Sequence, residues 1–352
     1  MKSMTRRKAL GLLTGSVAAA SSLGWTRVWA AGPTLTVTHF GGPYQALSNL
    51  VGKPFAASGL GTVDYEVAVS PAAVAKLQVS HGNPPFDVVM VSRSFGVRAQ
   101  NQGLVEKLSA SDFKNAGALI PNALPAAGWG VAMVLDTFDI MVDEKQVPKG
   151  SVTSWLDLWK PEFKGKLALP SAENGGAAFA FMACIVRAIG KGDMSKAVVD
   201  EAFSRMKALA PSVRVFYGDS VQPTQMIDRG DISVAPQFGI RIANQTKASP
   251  NIVKVGPKEG VLAVPYDLCI AKGSKNVALA KQYIDLTLGE SVQEALTSIL
   301  LATPARKGVV VNPDIAKLVT LDTSALWFQD EELAAKNSRE WLNRYTREVQ
   351  SA

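Results

Sequence analysis

Residues 153–170, TSWLDLWKPEFKGKLALP, place two tryptophans, two prolines and a glycine on one short connection that ends in the strand-like KLALP. A solvent loop seldom carries that much apolar anchoring. Ser154 is positioned to cap a helical turn starting at Trp155, Trp155 and Trp159 stand four apart on one helical face, and Pro161 ends the turn. The stretch predicts a staple that fixes where a crossing chain enters a second domain.

Outward from the staple, short apolar strands alternate with amphipathic helices. TLTVTHF precedes a helix near Tyr44 to Ser58, VDYEVAV precedes a helix over Pro71 to Ser80, and FDVVMVS follows. The second half repeats the alternation with KLALP, a long helix from Gly176 to Gly190, VRVFY, a helix from Gln222 to Arg229, and ISVAPQ. Alternation of this kind implies an α/β fold of parallel sheets with helices on both faces. Ligands of such sheets sit at the carboxyl ends of the strands, which selects the loops HFGGPY, SRSFG, PSAENGG, APQFG and VPYD.

The start of the chain, MKSMTRRKALGLLTGSVAAASSLGW, is basic, then apolar, with no acidic residue before Asp64. TRVWA follows, with Val28 and Ala30 at the small-residue positions of a cleavage site, so residues 1–30 read as a removable export signal. The apolar run is broken by glycines and hydroxyl residues and is short of the roughly 20 residues a bilayer span needs. TRRKAL resembles a twin-arginine signal, and the expected location is the periplasm, with cleavage after about Ala30. Of 37 basic residues five fall in this segment, which leaves 32 against 30 acidic ones, a charge of +2. That balance argues against a nucleic-acid partner, and no stable membrane insertion is expected. Cys184 and Cys269 each lie in an apolar run and read as buried thiols, with one long-range disulfide as the alternative.

Catalytic signatures are sparse. His39 and His81 have no metal-ligand spacing to either cysteine, and no G-x-S-x-G, G-x-G-x-x-G or G-x-x-x-x-G-K-[ST] motif occurs. The acidic pairs at Asp143 and Asp330 read as solvated surface. No enzyme activity, cofactor or metal is expected; an exported enzyme is the competing reading of another class.

PKGSVTSWLDLWKPEFKGKLALP resembles a signature of the periplasmic solute-binding proteins of ABC importers, in the group of polyamine-binding-like members. FGGPYQAL, FDVVMVS, PKEG, YDLCIAKGSKN and ATPAR extend the resemblance over nearly the whole chain after residue 30. The resemblance implies a two-lobed type II binding-protein fold joined by two crossing strands. Residues 31–131 plus 267–303 would form lobe one, and 132–266 plus 304–352 lobe two. The tail reads as an amphipathic helix with Leu333, Trp341, Leu342 and Tyr345 facing inward. The implied partners are a small-molecule solute and a membrane permease, with the protein itself a monomer.

The resemblance also implies a binding site, and this chain departs from its polyamine-binding pattern. Those members grip ammonium groups with carboxylates and aromatic walls. Where they carry an acid after an aromatic, this chain has Phe40, Gly41 and Gly42; where they carry an acid pair, it has Glu173 followed by Asn174. Where they place a tryptophan and an aspartate, it has Val264 and Tyr266, with Asp267 one further along. VSRSFG sets Arg93 between Ser92 and Ser94. Two like charges about 5 Å apart in a partly dry cleft repel by roughly 3 kcal/mol, which disfavours a polyamine beside Arg93. A carboxylate or amino-acid-like zwitterion is therefore expected, with a polyamine as the alternative. Arg93 would clamp the carboxylate, helped by Ser92, Ser94 and the amides of Gly41 and Gly42, while Glu173 received an amine. The other reading has Arg93 in solvent or paired with an acid across its lobe. Tyr44, Phe238 and Tyr266, with Phe40, would be stacking walls or core, and Arg241, four after Gln237, would reach the cleft or lie on a helix face. Thr303 of ATPAR completes the expected site.

Overall fold

A computed structural model of the chain describes residues 32–351. The expected export signal and its cleavage point lie outside the described residues. The first half runs β1 (Thr34–His39), α1 (Lys53–Ala57), β2 (Thr62–Val67), α2 (Ser70–Val79), β3 (Val88–Ser92) and α3 (Arg93–Asn101). The long β4 (Val131–Asp143) leads to β5 (Leu167–Pro170), α4 (Gly175–Gly190), α5 (Lys196–Leu209), β6 (Val213–Tyr217) and α6 (Gln222–Asp228). Then come β7 (Val234–Phe238), α7 (Gly239–Ala248), β8 (Ile252–Val255), the long β9 (Val261–Ile270), α8 (Val277–Thr287) and α9 (Glu290–Leu300). β10 (Thr303–Pro304), α10 (Pro313–Ala316), β11 (Leu326–Trp327) and α11 (Glu331–Tyr345) complete the order.

The strands form a path β2-β1-β3-β9-β4-β7-β5-β6. Pairing is parallel at the two ends, β1 with β2 and β3, β5 with β6 and β7. It is antiparallel where β9 meets β3 and β4, and where β4 meets β7. The expected parallel alternation therefore holds within each end, and the two long strands that join the ends run against it. β4 and β9 pair from Val131↔Leu268 to Phe138↔Leu262 and pass from one core to the other. One core gathers Phe138, Trp155, Phe181, Phe203 and Tyr217; the other gathers Leu35, Phe55, Met90, Leu135 and Tyr283. A third cluster, including Phe86, Val91 and Trp129, covers the opposite face of the β3 end. All 13 residues of β4 are buried because the strand has neighbours on both edges and a core at each end.

The staple is a 3-10 turn, Trp155–Trp159, rather than an α-turn. With three residues per turn, Trp155 and Leu158 share the inward face and are fully buried, while Trp159 lies half-buried and donates Nε1–H to the Arg205 carbonyl at 3.1 Å. Ser154 caps the turn through Leu156 N at 3.0 Å, and Asp157 completes a capping box. Trp155 stacks on Phe138 of β4 with centroids 5.9 Å apart and planes 17° from parallel. The segment thus clamps the crossing strand to the second core, and the KLALP strand that follows is tied to the tail by Tyr345 Oη donating to the Pro170 carbonyl at 2.9 Å. Cys184 and Cys269 are free and buried. Among the described residues no helix is long and apolar enough to cross a membrane.

Candidate functional site

Between the two cores lies an open cavity of about 850 Å³. Phe40 just after β1, the start of α2 and one face of α3 supply one wall; the start of α4, Phe238 and α11 supply the other, and residues 262–266 of β9 form the base. α2, α3 and α4 all present their first residues to this space, so three helix N-termini direct the positive ends of their dipoles at it. The geometry arises because each helix follows a strand at its carboxyl end, as in other open α/β sheets.

Six of the expected site residues line the cavity: Phe40, Ser92, Arg93, Ser94, Phe238 and Tyr266. Phe40 meets Tyr266 edge-on at 5.3 Å, and Tyr44 packs on both, at 5.6 Å from Phe40 and 6.4 Å from Tyr266. The three rings form one aromatic wall beside the crossing strands.

The fork expected to clamp a ligand is instead closed on a neighbour. Arg93 Nε donates to Asp267 Oδ2 at 3.0 Å and Nη2 to Oδ1 at 2.9 Å, while Nη1 and Nη2 reach the carbonyls of Asn122 and Ala123. Trp129 Nε1 adds a bond to Asp267 at 2.9 Å. Both charges are buried, and a guanidinium so engaged is matched within its own lobe. Of the two readings of Arg93, the geometry matches the ion pair across the lobe.

Several other expected residues have their polar groups engaged away from the cavity. The Gly41 amide donates to His39 Nδ1 at 2.8 Å, and Gly41 and Gly42 adopt φ of 81° and 54°, which glycine reaches without strain. Burial lowers the His39 pKa, in keeping with a neutral ring that accepts this bond. Gln237 is buried, donating to the Ser220 carbonyl and accepting from Phe238 N. Asn174 donates to Ser220 Oγ at 3.1 Å, Thr303 is buried in β10 against Leu135, and Glu173 is exposed on the loop before α4. Arg241 is exposed on α7, near enough for its charge to act on the Tyr266 phenol.

Residues the sequence did not single out bring the remaining charge. Glu331, read within an acidic surface run, is buried in the cavity wall. Its side chain accepts one hydrogen bond, from Gln329 Nε2 at 3.1 Å, and burial pushes its carboxyl up to about 7 against the opposing pull of Gln329 and Arg93. Gln329 Oε1 is buried without a hydrogen-bond partner among the described residues. Arg98, on the cavity face of α3, has no carboxylate partner among the described residues. Asp136 on β4 accepts from Thr137 N, Ile240 N and Tyr266 Oη at 2.8, 2.9 and 3.2 Å. Burial raises its carboxyl to about 6, with the Asp139 charge adding to the rise. An i, i+4 pattern on α3 (Ser94, Arg98) and an i, i+3 pattern on α11 (Glu331, Ala334) were the available signals, but neither shows by itself which face meets a cleft.

The arrangement can hold a small solute by opposite charges on separate walls; among the described residues no cluster of three or more His, Cys, Asp or Glu suits a metal. A family model described as bacterial extracellular solute-binding protein matches residues 83–336. The gamma-aminobutyric acid-binding protein of Pseudomonas aeruginosa is 27% identical over 289 residues, 79% of this chain and 78% of that protein. The spermidine/putrescine-binding periplasmic protein of Escherichia coli is 27% identical over 279 residues, 76% of this chain and 75% of that protein. The crystal structure of an ABC transporter protein from Clostridium perfringens superposes with a TM-score of 0.78 at 26% identity, covering 90% of this chain and 99% of that one. The fold of two crossing strands, the interlobe cavity and these similarities agree with the resemblance carried by residues 153–170: the chain belongs to the bacterial extracellular solute-binding proteins, the solute-capturing components of ABC transporters.

Proposed function

We propose that the cleft captures a small amino-acid-like zwitterion and that the protein, a periplasmic monomer exported by the twin-arginine route and cleaved near Ala30, hands it unchanged to a membrane permease. The observation that carries the reading is the buried, sparsely bonded Glu331 carboxylate in a cavity that also presents the unpaired Arg98 and three helix N-termini. An ammonium group in the cavity satisfies Glu331. A carboxylate is stabilised by the helix ends and by Arg98. The relative that binds gamma-aminobutyric acid has a ligand of this charge pattern.

A polyamine is the second reading, favoured by the Glu331 carboxylate and the Phe40 and Tyr266 rings, which line the same cavity. Titration calorimetry with gamma-aminobutyric acid and with putrescine, on protein stripped of bound solute, separates the two. Tighter binding of the amino acid supports the zwitterion; tighter binding of the diamine overturns it. Chemical turnover of either compound would contradict a binding role, and the intact mass of the secreted form checks the cleavage. Closure requires a ligand that contacts both walls better in the closed state, so the radius of gyration in solution scattering should fall on binding.

A further inference from the structure

The cavity is longer than its charged inner end requires. Ser94 and Arg98 on α3 and Gln102 just past its end follow one another at four-residue intervals along the wall, and on α11 Glu331, Ala335 and Ser338, spaced four and three apart, share the facing side. Ala334, Ala335 and Ser338 are small, so α11, which packs against α3, lets the cavity continue as a channel along the two helix faces. At about 850 Å³ the space lies near the upper end of what holds a drug-sized ligand, far above what a four-carbon amino acid fills.

Charge sits at the two ends of this channel and apolar surface between them. Phe328 lies under the Arg93 guanidinium, 5.5 Å from ring centroid to Cζ, which places the start of α11, and Glu331 three residues on, at the Arg93 end of α3. Arg93 is already matched by Asp267, so the open charge at that end is the Glu331 carboxylate. Arg98 follows five residues later, about 7.5 Å further along the helix axis at 1.5 Å per residue. Phe95, Phe179 and Ala334 add apolar surface to the same cavity. An extended chain advances about 3.8 Å per three bonds, so a four-carbon ω-amino acid separates its nitrogen from its carboxyl carbon by about 5 Å and an eight-carbon one by about 10 Å.

Resting on the zwitterion reading above, we infer that the solute is an extended ω-amino acid with an apolar spacer of about five to seven methylenes, its ammonium on Glu331 and its carboxylate on Arg98, and that Arg98 selects for length.

Titration calorimetry of ω-amino acids from four to eight carbons, α,ω-diamines and n-alkylamines of matched length tests this on wild type and Arg98→Gln. Arg98 is exposed, and thermal melts of the variant should match wild type. The expected result is affinity rising about tenfold or more from the four-carbon amino acid to a maximum at six to eight carbons. Arg98→Gln should remove that gain while changing the matched alkylamine by less than about twofold. A maximum at four carbons, with Arg98→Gln acting on no compound, overturns the length assignment and leaves the zwitterion reading standing. Diamines binding more tightly than amino acids of equal length, or no binding by any series, overturns both.

Discussion

Arg93 and Asp267 face each other across α3 and β9 as a closed, buried fork, at 3.0 Å and 2.9 Å, with Trp129 and two backbone carbonyls completing the shell. A charge pair of this kind belongs to the stability of its lobe more than to its ligand, because breaking one side strands the other charge out of water.

Arg93→Ala should therefore destabilise the protein by about 3–5 kcal/mol. Asp267→Asn should also destabilise it, and the joint replacement Arg93→Met with Asp267→Leu should recover most of the loss, since no lone charge remains. Urea unfolding of the three variants checks this. Unchanged stability with a large loss of solute affinity would restore Arg93 as a ligand clamp.

Glu331→Gln should weaken binding of an amine-bearing solute by about ten- to a hundredfold, the scale of a lost charge-assisted hydrogen bond. At pH 8 the same variant should make the solute-free protein more stable, because it removes a buried carboxylate with one hydrogen-bond partner. Calorimetry and thermal melts read the two effects separately.

Stability of the solute-free protein should fall as pH rises through the acid range. A carboxyl whose folded pKa is raised holds its proton more tightly folded than unfolded, so stability is lost between the ordinary and the raised value, from 4.5 to about 7 for Glu331 and from 3.8 to about 6 for Asp136. Each contributes up to about 3 kcal/mol. Asp143 and Asp157, held low by the hydrogen bonds they accept, act oppositely, and their contribution is lost only as pH falls below 3.8. Maximum stability near pH 4, with a flatter decline in Glu331→Gln, is the expected urea-unfolding profile; a plateau to pH 8 would contradict it.

Affinity should show the reverse slope. An ammonium pairs with ionised Glu331, so binding weakens as pH drops through about 7, and binding near pH 6.5 releases a proton. Calorimetry in buffers of different ionisation enthalpy measures that release directly.

Trp155→Ala should cost about 3–5 kcal/mol, since it empties the contact that clamps β4. Trp155→Phe should cost clearly less, because it keeps a ring on Phe138 and the buried Nε1–H it removes has no acceptor among the described residues. Near-equal losses would mean the indole nitrogen is bonded.

The alternation of short apolar strands with helices, the staple at 153–170 and the burial of both cysteines were legible in the chain, because strand and helix periodicity and large apolar anchors are local properties. The loops at the strand ends were legible too, and they delivered Phe40, Ser92, Ser94, Phe238 and Tyr266 to one cavity. What a charged side chain faces is not local. Arg93 finds its partner 174 residues away in Asp267, and Glu331, in a run that reads as a solvated surface, is carried into the cleft when Trp341 stacks on Phe179 and Tyr345 bonds Pro170. The sequence alone determined which elements form and where their loops gather; the tertiary structure decided which charges are matched inside a lobe and which are left facing the cleft, because that depends on contacts between segments far apart in the chain.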